Sequence, residues 1–193
     1  QLVLHHTVSG LGVDGDINYW RSTVERVATS VIIDRNGKIF QCFSSKYWDY
    51  HLGLKTGNNL ELNKKSIGIE LDSWGGLIEH NNKWYPAEWS LKYKKNVANL
   101  RQNPIKDVVV YDAGYRGFYG FEKYTDEQII SVYKLLKYWG DVYNISLKYN
   151  EDMWDVSDNA ISGKSGVWSH VSYRQDKSDI HPQNNIIQML KQL

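Results

Sequence analysis

A short polar segment near the end of the chain holds two histidines, two aspartates and a lysine close together. It reads Ser169-His170-Val171-Ser172-Tyr173-Arg174-Gln175-Asp176-Lys177-Ser178-Asp179-Ile180-His181-Pro182. Imidazole and carboxylate groups suit a borderline cation such as zinc, which takes four protein ligands in a structural site and three in a catalytic one. The segment can supply two of three ligands, so the third must come from elsewhere in the chain.

The best source of a third ligand is the start of the chain, where an apolar run ends in a histidine pair, Leu2-Val3-Leu4-His5-His6. A continuous apolar run is typical of a strand in a sheet that is covered on both faces. Successive side chains of a strand point to opposite faces, so only one of His5 and His6 can easily face a metal. Without His170, either histidine would be interpreted as a core residue bonded to the backbone.

The size and charge of the chain limit the kinds of protein it can be. At 193 residues it fits one domain with a sizeable core. A net charge of +1 gives no indication of a nucleic-acid partner, and no apolar run approaches the length of a membrane span. The one cysteine, Cys42, excludes an internal disulfide. We expect a monomer.

The sequence begins at Gln1, inside the first predicted strand, with neither a methionine nor a secretory signal before it. We therefore expect the chain to be part of a longer or processed product. A missing signal says little about export in that case.

Hydrophobic periodicity predicts an α/β domain. The clearest helix begins at a capping box of Thr125 and Gln128 and continues to about Tyr143. Asn36-Gly37 predicts a hairpin turn between two strands. The other predicted elements are strands over 27–33, 38–43 and 66–72, a helix over 17–26 capped by Asp16, a loop over 55–65 and a short terminal helix from Pro182.

Glu70 stands among apolar residues in the predicted strand Ile67-Gly68-Ile69-Glu70-Leu71. A buried carboxylate without a partner is costly, so it normally has a partner or a chemical task. One interpretation is a salt-bridged structural glutamate. The other is a general base that takes a proton from a zinc-bound water.

Four motifs in order resemble the zinc-dependent N-acetylmuramoyl-L-alanine amidases of the type-2 family, which includes phage lysins, bacterial autolysins and peptidoglycan recognition proteins. These motifs are His-His-Thr at 5–7, the segments 31–39 and 66–71, and Ser-His-x(6)-Lys-x-Asp at 169–179. The resemblance implies a single α/β domain with a central mixed β-sheet, flanking helices and a zinc site in a surface groove.

The resemblance also implies a Zn²⁺ site of His5, His170 and Asp179, with Glu70 as general base and Lys177 stabilising the oxyanion. In an extended strand, Lys177 and Asp179 would lie on one face. On composition alone Lys177 would be an exposed, solvated lysine. His181 remains a rival ligand, because Ile180-His181-Pro182 replaces the Pro-Gly that usually follows the ligand aspartate in relatives. His6 remains a second rival as the neighbour of His5.

Aromatic residues and His51 are the candidates for substrate contact. The segment from Trp48 to Gly53 resembles the family's Trp-His-x-Gly loop with altered spacing, and there the histidine lies beside the cleft. We therefore expect His51, Trp48 and Trp74 to contact substrate. Thr29 and Ser30 stand where relatives often have an aromatic residue and a histidine, which argues against a catalytic tyrosine or histidine on this strand.

Relatives usually pass more directly from the glutamate strand to the long helix, so we interpret 77–122 as an insertion that shapes the cleft rim and 145–166 as a second inserted loop. Within the first, 77–79 with 83–85 predict a hairpin, 87–100 have mixed helical character and 108–110 predict a strand. His80 lies in an Asn-rich turn.

The implied reaction is hydrolysis of the amide between N-acetylmuramic acid and L-alanine in peptidoglycan or a muropeptide. The implied place of action is the bacterial cell wall, for a phage lysin, a virion-associated enzyme or an autolysin. Two alternatives stay open. One is a recognition module that binds peptidoglycan without cutting it, although such modules typically lack a zinc ligand. The other is a zinc amidohydrolase of a different amide.

Overall fold

The computed structural model describes residues 1–10, 12–55 and 57–193. The strands are β1 (Leu2–His6), β2 (Val31–Ile33), β3 (Ile39–Gln41), β4 (Ile67–Leu71), β5 (Gly76–His80), β6 (Lys83–Ser90), β7 (Lys95–Ala98), β8 (Val108–Tyr115), β9 (Phe118–Glu122) and β10 (Val167–Ser169). The helices are α1 (Val13–Ser22), α2 (Asn59–Lys64), α3 (Asp126–Tyr143), α4 (Asp158–Ile161) and α5 (Asn184–Lys191), with 3-10 turns at Glu151–Trp154 and His170–Ser172.

The first sheet has the strand order β10-β1-β4-β2-β3 and is parallel except for β3. β1 is an interior strand of this sheet, so Leu2 pairs with Val167 on one side and Ile67 on the other. Every residue of β1 and β4 is buried, as expected for continuous apolar strands covered on both faces. The predicted α/β domain with a central mixed sheet is confirmed.

The β2–β3 hairpin forms around the predicted Asn-Gly turn. The Asp34 side chain accepts hydrogen bonds from the backbone N–H groups of Asn36 and Lys38, both at 2.9 Å. Gly37 has a φ of 78°, a left-handed conformation that glycine adopts without steric cost. Both strands are shorter than predicted. Residue 27, predicted as the start of β2, pairs with Tyr50 in an isolated bridge and not with the sheet.

Helix α3 begins at the predicted capping box. Thr125 Oγ1 accepts from the Gln128 N–H at 3.1 Å, and Gln128 Oε1 accepts from the Thr125 N–H at the same distance. The buried hydrophobic residues of the helix recur at helical spacing and include Leu136 and Trp139, which pack into the core. Ser131 Oγ donates to the Gly37 carbonyl at 2.6 Å, so the helix is joined to the hairpin turn by a polar contact as well as by packing.

The second sheet is antiparallel throughout, in the order β7-β6-β5-β9-β8. The predicted hairpin of 77–79 with 83–85 is confirmed by the β5–β6 pairing. The helical character predicted for 87–100 is wrong, because β6 continues to Ser90 and β7 pairs back on it with Ala98 opposite Ala87. Pairing across the sheet outweighs the weak local helical preference there.

An ion-pair cluster connects the two sheets. The Arg35 guanidinium bonds Glu122 of β9 at 2.8 and 2.9 Å and contacts Asp72, just after β4, at 2.5 Å. Glu122 also accepts the backbone N–H of Trp74 at 2.5 Å. Although burial opposes its charge, contact with Glu122 and Asp72 raises the pKa of Arg35. We call Arg35, Asp72 and Glu122 the sheet junction.

Two smaller elements differ from prediction. Helix α1 starts at Val13 and ends at Ser22, so Asp16 lies in its first turn and does not cap it. The predicted loop over 55–65 contains the short helix α2, and its Asn63 side chain is buried and hydrogen-bonded. The short helix predicted after Pro182 is present as α5. Among the described residues, no helix combines the length and apolarity that a bilayer crossing needs.

Candidate active site

Three neighbouring parallel strands bring the candidate residues to one edge of the first sheet. His5 lies near the carboxyl end of β1 and pairs in register with Glu70 of β4. His170 directly follows β10, whose Ser169 pairs with Leu4. Ligand sites in α/β sheets lie outside the carboxyl ends of the strands, and these side chains follow that rule.

Two imidazoles and one carboxylate converge at this edge. His5 Nδ1 lies 3.0 Å from His170 Nδ1 and 3.4 Å from Asp179 Oδ2. His170 Nδ1 lies 2.8 Å from the same carboxylate oxygen. All three residues are buried, and their donor atoms lie within 4.8 Å of one another. The predicted ligand set is therefore assembled in space, across 174 positions of sequence from His5 to Asp179.

The donor set fits a zinc ion. Zinc binds imidazole nitrogen and carboxylate oxygen at ~2.0–2.2 Å in a tetrahedron, so its ligand atoms lie roughly 3.3 Å apart. The three observed separations of 2.8, 3.0 and 3.4 Å match one face of such a tetrahedron. Three protein ligands that leave the fourth position open are typical of a catalytic site.

Hydrogen bonds hold the His170 turn in place. Ser172 Oγ accepts the Ser169 N–H at 3.2 Å and donates to the Met153 carbonyl at 2.9 Å. The Val171 N–H donates to the Asp179 carbonyl at 3.0 Å and closes the loop between the two ligands. The positions of His170 and Asp179 are thus coupled through the backbone.

Burial and neighbouring charges set the ionisation of the cluster. Burial, reinforced by neighbouring His170, lowers the pKa of His5 to about 4. Burial opposes the charge of Asp179, but His170 and then His5 offset it and hold the pKa of Asp179 well below its usual value. A neutral imidazole beside a carboxylate is the state that a metal ion requires of its ligands.

Glu70 is buried and lines the same cavity. Burial raises the pKa of Glu70 well above its ordinary value, and the nearby carboxylates of Asp179 and Asp16 add to the rise. No salt bridge to Glu70 occurs in the part of the chain that the structure describes. A raised pKa in a carboxylate at a cavity is typical of a group that exchanges protons during a reaction.

A cavity of about 440 Å³ opens in front of these residues. Its lining is polar near His5, His170 and Asp179 and aromatic along α1 and near residue 50. The lining residues are His5, His6, Thr7, Val8, Asp16, Tyr19, Trp20, Val27, Ala28, Thr29, Tyr50, His51, Gly53, Glu70, His170, Arg174, Lys177 and Asp179.

A family model described as N-acetylmuramoyl-L-alanine amidase matches residues 1–183. The chain belongs to the N-acetylmuramoyl-L-alanine amidase family.

Two solved structures share the fold of this amidase. The N-acetylmuramyl-L-alanine amidase AmiD from E. coli, in complex with anhydro-N-acetylmuramic acid-L-Ala-D-gamma-Glu-L-Lys, has a TM-score of 0.56 and 18% identity over 97% of this chain and 56% of its own. PlyL has a TM-score of 0.50 and 14% identity over 98% of this chain and 82% of its own. No curated protein matches the sequence.

Lys177 lines the cavity of the amidase together with Asp179. The segment between His170 and Asp179 is not a strand, so the shared strand face considered from the sequence does not exist. The loop that the Val171–Asp179 bond closes brings both side chains to the cavity instead.

The two rival histidines are occupied elsewhere. His6 Nδ1 lies 2.7 Å from the Tyr124 hydroxyl. His181 is stacked between Phe121 and Tyr124, receives the Tyr111 hydroxyl on Nδ1 at 2.8 Å, and donates from Nε2 to the Glu122 carbonyl at 3.1 Å. Neither histidine belongs to the cluster of possible metal ligands among the described residues.

His51 lines the cavity as expected, but the two tryptophans do not. Trp48 packs under the Arg26 guanidinium, 4.4 Å from its ring centre. Trp74 covers Gly10, where an added Cβ would lie 2.1 Å from its ring. Both indoles hold loops in place, so the substrate contacts predicted for Trp48 and Trp74 are not supported by their positions.

The aromatic side chains that do line the cavity are Tyr19, Trp20 and Tyr50. The sequence did not mark them as candidates, because an aromatic residue in a helix or a loop is as typical of packing as of substrate contact. The sequence feature that could have indicated them is the adjacent pair Tyr19-Trp20. It lies on a short helix in which Val13 is the only buried residue among those described.

None of the described residues lining the cavity comes from 76–122. The second sheet therefore contributes no described residue to the lining of this cavity, and the lining gives no support to the expectation that 77–122 shape the cleft rim.

Proposed function

We propose that this amidase is a zinc enzyme that hydrolyses the amide between N-acetylmuramic acid and L-alanine of peptidoglycan stem peptides. The observation that carries the proposal is the convergence of His5 Nδ1, His170 Nδ1 and Asp179 Oδ2 at the cavity beside a buried Glu70. The muropeptide in the AmiD complex supports this substrate class.

A zinc ion held by His5, His170 and Asp179 would supply Lewis acidity toward the scissile carbonyl and would make a water molecule acidic enough to attack near neutral pH. Glu70 takes the proton from the attacking water and passes it to the leaving amine of L-alanine. Its raised pKa suits both steps, because a weakly acidic carboxyl group can accept a proton and then return it near neutral pH.

Lys177 lies at the cavity with its cationic side chain half-buried. Its ammonium group donates a hydrogen bond to the oxyanion that forms as the carbonyl carbon becomes tetrahedral. Donors directed at developing charge in a partly desolvated site commonly contribute 10²–10³-fold to turnover, or about 3–4 kcal/mol.

The aromatic side chains of Tyr19, Trp20 and Tyr50 provide apolar faces on one side of the cavity. Aromatic faces pack well against the C–H faces of sugars and against peptide backbones. We assign them to substrate contact, in place of Trp48 and Trp74.

A recognition module that binds peptidoglycan without cutting it is the alternative. The complete set of three ligands, together with Glu70 and Lys177 at one cavity, favours hydrolysis. A module that only binds has no use for a buried carboxylate with a raised pKa. The place of action that follows from the substrate is the bacterial cell wall.

The test is mass spectrometry of purified peptidoglycan fragments incubated with zinc-loaded protein, with and without a chelator. Free stem peptides that begin with L-alanine, seen only without chelator, are the expected result. Intact fragments in both samples would overturn hydrolysis of this bond.

His170→Ala provides the matched variant. It removes one ligand and should lose both stoichiometric zinc and turnover. His80→Ala changes an exposed histidine of the second sheet and should keep both. Normal zinc content in His170→Ala would exclude His170 as a ligand.

A further inference from the structure

His51 and Leu52 contact both histidines of the proposed zinc site. His51 Nδ1 lies 3.0 Å from His5 Nε2, and the Leu52 carbonyl oxygen lies 3.0 Å from His170 Nε2. Each ligand histidine thus points Nδ1 toward the metal cluster and Nε2 toward this dipeptide. The role of these contacts depends on the zinc site proposed above.

The hydrogen on His170 can be located from its partners. A carbonyl oxygen only accepts hydrogen bonds, so the contact with Leu52 requires a hydrogen on His170 Nε2. A neutral imidazole carries one ring hydrogen, which leaves His170 Nδ1 with a free lone pair. That lone pair points toward Asp179 and His5, where a metal would bind.

The hydrogen on His5 follows from a longer chain of contacts. Ser66 Oγ donates to the Leu62 carbonyl at 2.8 Å, so it accepts from His51 Nε2, also at 2.8 Å. His51 then has a lone pair on Nδ1 and accepts a hydrogen from His5 Nε2. His5 Nδ1 is left with its lone pair free for the metal.

The competing tautomer of His5 shows why this matters. Asp179 Oδ2 lies 3.4 Å from His5 Nδ1 and would attract a ring hydrogen to that nitrogen. A hydrogen on Nδ1 blocks metal binding there, because a metal ligand must offer a lone pair. The acceptor that His51 presents to Nε2 opposes this pull of the carboxylate.

The dipeptide is itself held from helix α2. The buried side chain of Asn63 accepts the backbone N–H groups of His51 and Leu52 at 2.8 and 3.1 Å. Asn63 Nδ2 donates to the Asn59 carbonyl at 2.7 Å. Gly68 leaves room for the imidazole, since a Cβ there would lie 3.1 Å from His51 Cγ.

We propose that His51 and Leu52, anchored by Asn63 and Ser66, form a tautomer brace that keeps hydrogen on Nε2 of both ligand histidines and so prepares both Nδ1 atoms for zinc. His51 and Ser66 are positioning residues, because they act through His5 and touch neither metal nor reacting atoms. Outer partners of metal ligands typically contribute 10–100-fold to metal affinity.

The test measures zinc affinity by competition with a chromophoric chelator, and the ring tautomers of the zinc-free protein by ¹⁵N NMR. In the unaltered protein, we expect hydrogen on His5 Nε2. In His51→Leu, we expect zinc affinity to fall about 10–100-fold and the His5 hydrogen to move partly to Nδ1. His80→Ala, an exposed histidine far from these contacts in sequence, should leave both quantities unchanged.

Two further variants keep the test decisive if His51→Leu does not fold. Ser66→Ala removes the acceptor of His51 Nε2 and should weaken zinc binding in the same direction. His51→Asn places an amide oxygen near the former Nδ1 and should retain more affinity than His51→Leu. Unchanged zinc affinity and an unchanged His5 tautomer in Ser66→Ala and in the folded His51 variants would overturn the brace. Absence of zinc binding by the unaltered protein would instead overturn the proposed function.

Discussion

The two sheets of this amidase differ in how their residues are used. In the first sheet, every residue of β1 and β4 is buried, and the chemically important side chains lie at or just after the strand ends. In the second sheet, β8 has no buried residue, and Tyr119 of β9 is 61% exposed. The first sheet holds the candidate site, whereas no described residue of the second sheet lines the cavity. Arg35 joins the two sheets through its contacts with Asp72 and Glu122.

The difference teaches where a metal site can be built. Ligand atoms must be held to within about 0.5 Å of their productive positions. A strand paired on both sides, such as β1, has its register set twice. A half-exposed antiparallel sheet has fewer neighbours to define each side chain, so it tolerates change more readily.

The largest effect is expected at Glu70. Glu70→Gln keeps the size of the side chain but removes the base, so turnover should fall about 10²–10⁴-fold while zinc stays bound. Since burial raises the pKa of Glu70, the unaltered enzyme should lose activity as pH falls and the carboxylate takes up a proton.

The control variant is Glu79→Gln on β5 of the second sheet, which should be as active as the unaltered enzyme. Steady-state kinetics across pH, with zinc content measured in parallel, would check both. Turnover of Glu70→Gln within about threefold of normal would return Glu70 to a structural role, because general-base loss costs far more.

Truncation of a side chain should lower the free energy of unfolding more in the first sheet than in the second. Leu4 on β1 is fully buried, so Leu4→Ala should lower the free energy of unfolding by about 2–5 kcal/mol. Val110 on β8 is 54% exposed, so Val110→Ala should change it by less than about 0.5 kcal/mol. Denaturant unfolding measures both, and equal losses would remove the proposed contrast.

Weakening the sheet junction should destabilise the second sheet and leave the candidate site unchanged. Glu122→Gln weakens the charge-assisted bonds to Arg35, each ordinarily worth about 1.5–3 kcal/mol. Native-state hydrogen exchange should show faster exchange of the amides of β8 and β9, while those of β1 and β4 keep their protection. Simultaneous loss of protection in both sheets would mean that they unfold as one unit.

The smallest effect is expected at the α3 cap. Thr125→Ala removes the acceptor for the Gln128 N–H and the donor to the Arg35 carbonyl. Loss of such a cap typically costs about 1 kcal/mol. Zinc affinity should be unchanged, because among the described residues no hydrogen bond joins α3 to His5, His170 or Asp179. Thermal unfolding with a zinc titration would check this. A weaker zinc site would show that general stability, and not local hydrogen bonding, limits metal binding.

Local interactions explain which elements could be predicted from the sequence. The Thr125 cap and the Asn36-Gly37 turn depend on near neighbours, and both are present. The strand before His5 is also present, and it was predicted from its continuous apolar pattern although its partners are distant in sequence. The strands over 87–98 depend on pairing between β6 and β7, which short-range pattern does not reveal.

The residues of the candidate site also fall into those that could be predicted from the sequence and those that could not. The resemblance to the family's motifs implied His5, His170 and Asp179, and the structure brings their side chains together. Aromatic residues are chemically similar wherever they stand, so the sequence could not separate Trp48, which packs under Arg26, from Trp20, which lines the cavity. The contacts of His51 with His5 depend on α2, which was predicted as loop.

The interior position of β1 also has a consequence for folding during synthesis. Leu2 pairs with Val167, so one side of β1 stays unpaired until the ribosome has added 165 further residues. Contacts so distant in sequence form slowly and only after the intervening chain is complete. His5 and Asp179 are 174 positions apart, so the candidate ligands also come together late in the folding of this domain.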